Sequence, residues 1–225
     1  MNLQTLFKDG QNFAERGQYH ESAAAYETFL KHVTDPQLVR SAAFNLAQVR
    51  NHLRDYEEAL RLVDLGLSLS PTDFGRAIAM AARGEALCGL NRTDEGRAAF
   101  AQAVQAHSIV GRLNSADSMT RLDSTELLGM AEEWVVHVTC SFGKNLPGHF
   151  HSEALTILGK IAAARGDYAQ ASRQFGEVIK AYPAYEDAKL QLRRLQERQP
   201  DFEGTNNSAA SPFSAETKRP EEDAI

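Results

Sequence analysis

Three histidines and one cysteine between residues 137 and 151 are the side chains best suited to metal chemistry. Zinc is commonly bound by imidazole nitrogen and thiolate sulfur, and residues three apart share one face of a helix. His137 and Cys140 have that spacing, and a following loop could return His149 and His151 to complete a tetrahedron. The spacing matches no common zinc module. We therefore name these four residues as candidate ligands but predict neither a bound metal nor a cofactor.

The sequence contains no motif with a catalytic mechanism. It has no glycine-rich phosphate loop, no nucleophile elbow and no pair of carboxylates in an apolar setting. Glu132 and Glu133 precede Trp134 in the pattern of a solvated helix face beside a core aromatic ring. Cys88 lies in a stretch rich in alanine and leucine, which is typical of a small core residue rather than a nucleophile. We predict that the protein is not an enzyme.

The composition fits one domain with a substantial core or a short solenoid, and the charge disfavours nucleic acid and anionic membranes as partners. The chain has 225 residues, of which 43% are hydrophobic, and a net charge of −6. Residues 201–225 carry −4 of that charge, so the body is nearly neutral and has no basic run for nucleic acid or an anionic membrane. No apolar stretch is long enough to cross a bilayer, and residues 1–9 do not resemble a signal peptide. We expect a cytoplasmic location.

The chain repeats one local pattern, a helix, a tight turn and a second helix. The clearest copy is residues 165–175, in which Gly166 and Asp167 break the first helix while Ala171 and Phe175 share a face of the second. Related turns occur around residues 17, 54 and 91. A small residue also recurs within each first helix, at the following positions: Gly10, Ala47, Gly84 and Gly159. The first three are 37 residues apart and the last step is 75, close to two periods.

These positions resemble the tetratricopeptide repeat family, whose repeat is a helix pair of about 34 residues. The fourth unit matches best, through these residues: Leu155, Leu158, Gly159, Ala162, Gly166, Tyr168, Ala171, Phe175 and Pro183. The other units depart from the pattern, with Asp9 and Arg83 at leucine positions and Arg50 at a tyrosine position. The resemblance implies an all-α, right-handed superhelical solenoid of antiparallel helix pairs.

The repeats divide the chain into four parts. Residues 1–110 hold three helix pairs, and 152–199 hold a fourth pair with a C-terminal capping helix. Residues 111–151 are a degenerate repeat or an insertion; a capping box near residue 124 and helical spacing from Leu127 to Val138 favour a helix, although Val135–Thr139 has some strand character. Residues 200–225 have the composition of a disordered acidic tail.

In the tetratricopeptide repeat family the first helix of each pair lines a concave surface that binds peptides. Carried onto this sequence, the resemblance places eight residues in that groove: Phe7, Gln11, Phe44, Asn45, Gln48, Asn51, His52 and Glu85. Lys160 lies further along the same surface. Amides can bond to an extended peptide backbone, and the phenylalanines would anchor apolar side chains. Phe7 and Phe44 could equally pack between helices.

The predicted function is that of an adaptor or co-chaperone that holds a segment of another protein. The known chaperone-terminus clamp of the family is largely missing, since only Asn45 falls at a clamp position, and we predict against that specificity. Two alternatives remain open. Residues 111–151 could be a ligand-responsive or metal-responsive sensor, or the solenoid could self-assemble into a homo-oligomer through the region around Trp134. The acidic tail could also compete for the protein's own groove.

Overall fold

The computed structural model describes residues 2–198, and within that range the chain is entirely helical, with no strand. The acidic tail lies outside the described residues. The first six helices are α1 Leu3–Glu15, α2 Tyr19–His32, α3 Pro36–His52, α4 Tyr56–Ser68, α5 Asp73–Gly89 and α6 Thr93–Ala106. The next five are α7 Ser108–Met119, α8 Thr125–Phe142, α9 Gly148–Ala164, α10 Tyr168–Ala181 and α11 Glu186–Arg198. A 3₁₀ turn at Gly143–Asn145 follows α8.

The helices form a right-handed solenoid of antiparallel pairs. Each helix packs mainly on its neighbours in sequence, and the first helices of consecutive pairs also touch, as α3 does with α5 and α5 with α7. Residues 111–151 fold as most of α7, all of α8 and the start of α9, so they supply a further helix pair within the stack. The stretch Val135–Thr139, which has some strand character in sequence, lies inside α8. The third pair ends at Ala106 rather than at residue 110.

The turns inside the pairs share one backbone geometry. Gly17, Arg54, Asn91 and Gly166 each adopt a positive φ, between 59° and 82°, directly after a first helix. In each turn, that residue and the next donate their amide hydrogens back to carbonyls of the helix, for example Arg54 to Asn51 at 2.9 Å. This left-handed geometry suits glycine and is tolerated by asparagine, so Arg54 is the unusual member of the set.

A small residue on each first helix allows its partner helix to approach closely. A Cβ at Gly84 would lie 2.5 Å from the ring of Phe100, and one at Gly159 would lie 2.4 Å from the ring of Phe175. Gly10 meets the ring of Tyr26 in the same way. All three rings are fully buried. The small residues recognised in the sequence therefore mark the contacts between the two helices of a pair.

The N-terminal ends of several helices are fixed by side-chain caps. Asp35 accepts hydrogen bonds from the amides of Gln37 and Leu38, and Pro36 begins α3. Ser124 accepts from the amide of Leu127 at 3.3 Å, at the position where the sequence predicts a capping box. Because such contacts are local, the sequence can specify them before any long-range packing forms.

Helix α11 packs on α9 and α10 and also reaches the first pair. Its Ala188 and Leu195 are buried. A Cβ at Gly17, in the turn between α1 and α2, would lie 3.0 Å from Leu190 and 3.1 Å from Arg194. Residues near the two ends of the described chain are thus in contact, and the concave face is enclosed on that side.

Candidate functional site

A central cavity of about 520 Å³ lies on the concave face. Its wall combines residues from the first pair, the middle of the chain and α11, including the following: Tyr19, His52, Glu85, Arg121, Lys160 and Arg194. We call this space the central cavity. Because its residues are separated by more than a hundred positions in sequence, only the curvature of the solenoid can bring them together.

A smaller cavity of about 210 Å³ adjoins the central one. It lies between α1, α2 and α3, and Gln11, Asn45 and Gln48 line it. Tyr19 and His52 border both spaces. Their rings are stacked, with centroids 4.2 Å apart and planes 8° from parallel. The two cavities therefore form one concave surface divided by this aromatic pair.

The structure separates the eight groove residues predicted from sequence. Gln11, Asn45, Gln48 and His52 line the smaller cavity, while Asn51 and Glu85 join His52 in the central cavity.

The two predicted phenylalanine anchors pack between helices. Phe44 is 6% exposed and lies against Gly66 of α4, which corrects the expectation that its ring faces the groove. Phe7 packs edge-on against Tyr26 and Phe29, with ring centroids 5.6 and 5.2 Å apart.

Two of the predicted amides are already engaged. Asn45 donates through Nδ2 to the hydroxyl of Tyr26 at 3.1 Å, while burial raises the pKa of that tyrosine to about 12. Asn51 is 2% exposed and donates through Nδ2 to the carbonyl of Ala82 at 2.8 Å, which ties α3 to α5. Within residues 2–198, the Oδ1 atom of Asn51 has no hydrogen-bond partner. Gln11 and Gln48 line the wall of the smaller cavity.

A ladder of charged side chains forms one wall of the central cavity. Arg121 makes a two-pronged contact with Glu85, with both nitrogen–oxygen distances 2.7 Å, and also pairs with Asp117. Lys160 then bridges Asp117 at 2.7 Å and Asp187 at 2.8 Å. This network, which we call the charge ladder, connects α5, α7, α9 and α11. It makes Lys160 and Glu85 structural members of the wall.

Ion pairing within the charge ladder keeps its members charged, although burial opposes their charges. Burial opposes charge on Lys160, but Asp117 and Asp187 hold the pKa of Lys160 above its ordinary value. Burial likewise opposes ionisation of Asp117, yet Lys160 and Arg121 hold the pKa of Asp117 far below its ordinary value. Each charge therefore depends on its neighbours, because an unpaired charge in this wall would be poorly solvated.

His52 lies in a positive environment. Burial lowers its pKa well below the ordinary value, and the cations Arg121, Lys160 and Arg194 lower it further, against an opposing contribution from Asp117. The imidazole is therefore neutral at physiological pH. Its face is occupied by Tyr19, so His52 presents a ring edge rather than a charge to the cavity.

Three further arginines of the central cavity have no acidic partner among residues 2–198. Arg54, Arg194 and Arg198 line this space, and within residues 2–198 no carboxylate oxygen lies within 4 Å of their guanidinium nitrogens. The sequence reasoning missed these residues and Arg121. Arg54 could have been noticed, because it occupies the turn position at which two other pairs have glycine. No sequence pattern indicated that Arg194 and Arg198 line the cavity, because α11 was predicted only to cap the solenoid.

The four candidate metal ligands do not form a site. Among the described residues, no group of three or more histidine, cysteine, aspartate or glutamate side chains is arranged to hold a metal ion. His137 lies one helical turn from Ser141, with Nε2 3.4 Å from its hydroxyl, and His149 packs on Phe150. Cys88 contacts Gly96 at the α5–α6 interface, and burial raises the pKa of its thiol to about 11.

None of the helices between residues 2 and 198 is both long enough and apolar enough to cross a membrane.

The family comparison agrees with the helix pairs and with the small residues at their contacts. The family described as "Tetratricopeptide repeat-like domain" matches residues 3–119, and a second description, "Tetratricopeptide repeat", matches residues 153–185. The chain belongs to the tetratricopeptide repeat-like family. No curated protein matches it.

A solved structure shows the same fold at low sequence identity. TTC0263, a thermophilic TPR protein of Thermus thermophilus, aligns with a TM-score of 0.57 and 15% identity, over 87% of this chain and all of its own. PilW, a type IV pilus biogenesis factor, aligns with a TM-score of 0.47 and 19% identity, over 90% and 96%. YrrB, a TPR protein with an unusual peptide-binding site, has a TM-score of 0.40 and 16% identity, over 84% and 90%.

Proposed function

We propose that this protein is an adaptor that holds a segment of a partner protein against its concave face. The repeat fold is that of a protein-interaction scaffold in general, and the concave groove is the particular surface that we assign to the partner. The main support for the proposal is the concave surface that the two adjoining cavities form together. Binding sites in proteins are typically concave and contain a few well-placed polar groups, as this surface does.

The wall of this surface is suited to a polypeptide. Gln11, Gln48 and Gln191 supply amide groups, which can both donate to and accept from a peptide backbone. The Tyr19–His52 pair adds a rigid aromatic surface at the centre. Phe44 is buried against α4, and the half-buried ring of Phe7 lies against Tyr26 and Phe29, so we assign the partner contacts to other residues. We therefore propose that polar contacts and this aromatic pair, rather than phenylalanine anchors, hold the partner.

The packing of residues 111–151 supports a structural role for that segment rather than a sensor role. A Cβ at Gly111 would lie 2.2 Å from the carbonyl oxygen of Ala103, so α7 is pressed against α6. Leu113, Ala116 and Met119 of α7 are fully buried. We propose that this segment acts as an ordinary repeat of the stack, with Asp117 and Arg121 contributing to the cavity wall.

Site-specific photocrosslinking tests the position of the partner. A photoreactive phenylalanine analogue is placed at Gln48 or Gln191, which line the cavities, and at Gln170 or Gln196, which are exposed elsewhere. The full-length protein is irradiated in native lysate, and crosslinked peptides are identified by mass spectrometry. We expect one partner protein to be crosslinked from Gln48 and Gln191 but not from Gln170 or Gln196.

The other outcomes separate the alternatives. Crosslinks to a partner only from Gln170 or Gln196 would contradict binding on the concave face. Crosslinks to a second copy of this chain, together with a concentration-dependent mass in light scattering, would favour the self-assembly alternative. Circular dichroism of each variant confirms that the helices are retained.

A further inference from the structure

The cations of the central cavity exceed its carboxylates. Among residues 2–198, five cationic side chains line the space, namely Arg54, Arg121, Lys160, Arg194 and Arg198, against the single carboxylate of Glu85. Arg121 and Lys160 belong to the charge ladder and are already paired. The other three face the cavity with no carboxylate within 4 Å among residues 2–198. This surplus of positive charge is the starting point for identifying the occupant.

Arg54 occupies a backbone conformation that favours glycine. Its φ is 59°, and the equivalent turn residues are Gly17, Asn91 and Gly166. Glycine adopts this conformation without a steric penalty and asparagine tolerates it, whereas a long side chain is disfavoured there. The protein thus keeps a cation at the cavity at a position where a neutral glycine would be less strained. Such a residue is a candidate for function rather than for stability.

The environment of His52 is consistent with this surplus of positive charge. Its pKa is depressed first by burial and then by Arg121, Lys160 and Arg194, while Asp117 opposes them. These groups come from the turn after α7 and from α7, α9 and α11, so the field arises from several sides of the cavity. A negatively charged occupant would relieve it.

We infer that the central cavity binds an acidic segment of a partner protein, whose carboxylates pair with Arg54, Arg194 and Arg198. This inference rests on the proposed function and adds the chemistry of the segment. Guanidinium groups bind carboxylates through paired hydrogen bonds. Arg54 comes from the turn between α3 and α4, whereas the other two come from α11, so a bound segment would bridge the two sides of the cavity.

Binding of defined peptides tests the inference. Fluorescence anisotropy is measured for the full-length protein with labelled peptides of about ten residues that alternate Glu with Ala, Gln with Ala or Lys with Ala. We expect the Glu peptide to bind and to weaken as NaCl is raised from about 0.05 to about 0.5 M, because salt screens exposed charges. If the Gln peptide binds as tightly as the Glu peptide, the preference for acidic segments is wrong, while the proposal that the concave face binds a peptide still stands. No binding of the Glu peptide would also overturn that preference.

Matched variants localise the contact. Arg54→Gly and Arg194→Gln each remove one cavity cation, and we expect each to weaken binding of the Glu peptide about fivefold, as for a partly exposed charge pair. Asn91→Gly makes the equivalent turn change away from the cavity, and Arg193→Gln removes an exposed cation beside Arg194. Both controls should bind as the wild type does. If Arg193→Gln weakens binding of the Glu peptide as much as Arg194→Gln does, the peptide is attracted to the overall charge of the protein. That result would overturn the assignment of the peptide to the central cavity.

Arg54→Gly should also resist thermal unfolding at least as well as the wild type, because glycine relieves the positive φ. Loss of binding in that variant is then a loss of contact and not of fold. Proton NMR of His52 gives a second readout, since its pKa should rise when the Glu peptide is bound and stay unchanged with the Lys peptide. An unchanged His52 pKa with the Glu peptide bound would place that peptide outside the central cavity.

The acidic residues of the tail are the competing occupant. Replacing the six tail carboxylates by amides leaves residues 2–198 unaltered; they are Asp201, Glu203, Glu216, Glu221, Glu222 and Asp223. We expect this variant to bind the Glu peptide within twofold of the wild type. An intramolecular competitor at high effective concentration would weaken peptide binding in the wild type by more than about tenfold. A gain of that size in the affinity of the tail variant for the Glu peptide would therefore overturn the assignment to a partner and indicate that the tail occupies the cavity.

Discussion

Glu153 is a carboxylic acid that the fold keeps protonated up to nearly neutral pH. Burial raises its pKa, and Asp117 and Asp187 add to that effect while Lys160 opposes it, giving a value of about 7. Its neighbour Tyr185 also has a raised pKa, again chiefly from burial and then from Glu153. Protonation of Glu153 therefore avoids a third negative charge beside the aspartates of the charge ladder.

This protonation predicts a pH dependence of stability. The folded protein binds a proton on Glu153 that the unfolded chain releases above the ordinary pKa of 4.5. Its contribution is fully present below that value and is lost as pH rises through about 7, with a slope of at most about 1.4 kcal/mol per pH unit. Glu153→Gln should remove this contribution. Urea unfolding between pH 5 and 8 should show a flatter profile for Glu153→Gln than for wild type.

Glu133→Gln is the matched control, because Glu133 is an exposed residue of α8 outside this cluster. Its unfolding profile should keep the wild-type slope. A Glu153→Gln profile that is parallel to the wild type over the whole range would contradict the assignment.

At the scale of the elements, the close contact between helices of a pair should be intolerant of added volume. A methyl group at Gly84 would overlap the ring of Phe100, whose nearest atoms are 2.5 Å away. We expect Gly84→Ala to lower the free energy of unfolding by about 1–3 kcal/mol through overpacking. Gly176→Ala is the control, because no atom lies within 4 Å of its added Cβ. That variant should gain up to about 1 kcal/mol from helix propensity.

Chemical denaturation of the two glycine variants provides the measurement. Equal stability of Gly84→Ala and Gly176→Ala would show that α5 and α6 are not in tight contact at this point.

The charge ladder should behave as a coupled unit that joins four helices. Arg121→Leu leaves the buried carboxylate of Glu85 without its main partner, and we expect a loss of about 3–5 kcal/mol in the free energy of unfolding. Glu85→Leu combined with Arg121→Leu removes both charges and should recover much of that loss. A double-mutant cycle by urea unfolding measures the coupling. Additive single effects would contradict it.

At the scale of the whole molecule, the contact between α11 and the first pair encloses the concave face. Leu190 and Arg194 both lie next to Gly17, while Ala188 and Leu195 secure α11 to the rest of the solenoid. The enclosing contact is therefore small and separable from the packing of α11 itself.

Leu190→Lys should open this contact without unfolding the repeats, because the new cation would lie beside Arg194 against the α1–α2 turn. We expect an increased radius of gyration in small-angle X-ray scattering and unchanged helical content by circular dichroism. The same change in charge at an exposed position of α11, Gln196→Lys, should leave the radius of gyration unaltered. An unchanged radius in both variants would indicate that the contact does not hold the solenoid closed.

The sequence alone predicted the repeat and the helix pairs in residues 1–110 and 152–199, but it left residues 111–151 open between a degenerate repeat and an insertion. Gly84 with Phe100 and Gly159 with Phe175 could be recognised because the spacing of small and aromatic residues is a local property of two packed helices. The turns at Gly17 and Gly166 carry their own backbone chemistry. The family resemblance followed from the same positions, and the family match confirms it.

Only the tertiary structure decided which residues face the cavity. Phe44 and Asn45 are adjacent in sequence, yet one packs on Gly66 and the other lines the smaller cavity, and this difference depends on how neighbouring helices are rotated. Arg121 and Arg194 join Tyr19 and His52 because small rotations between pairs accumulate along the stack. Local patterns fix each pair, but they do not fix those rotations. The composition of the cavity is therefore a property of the assembled solenoid.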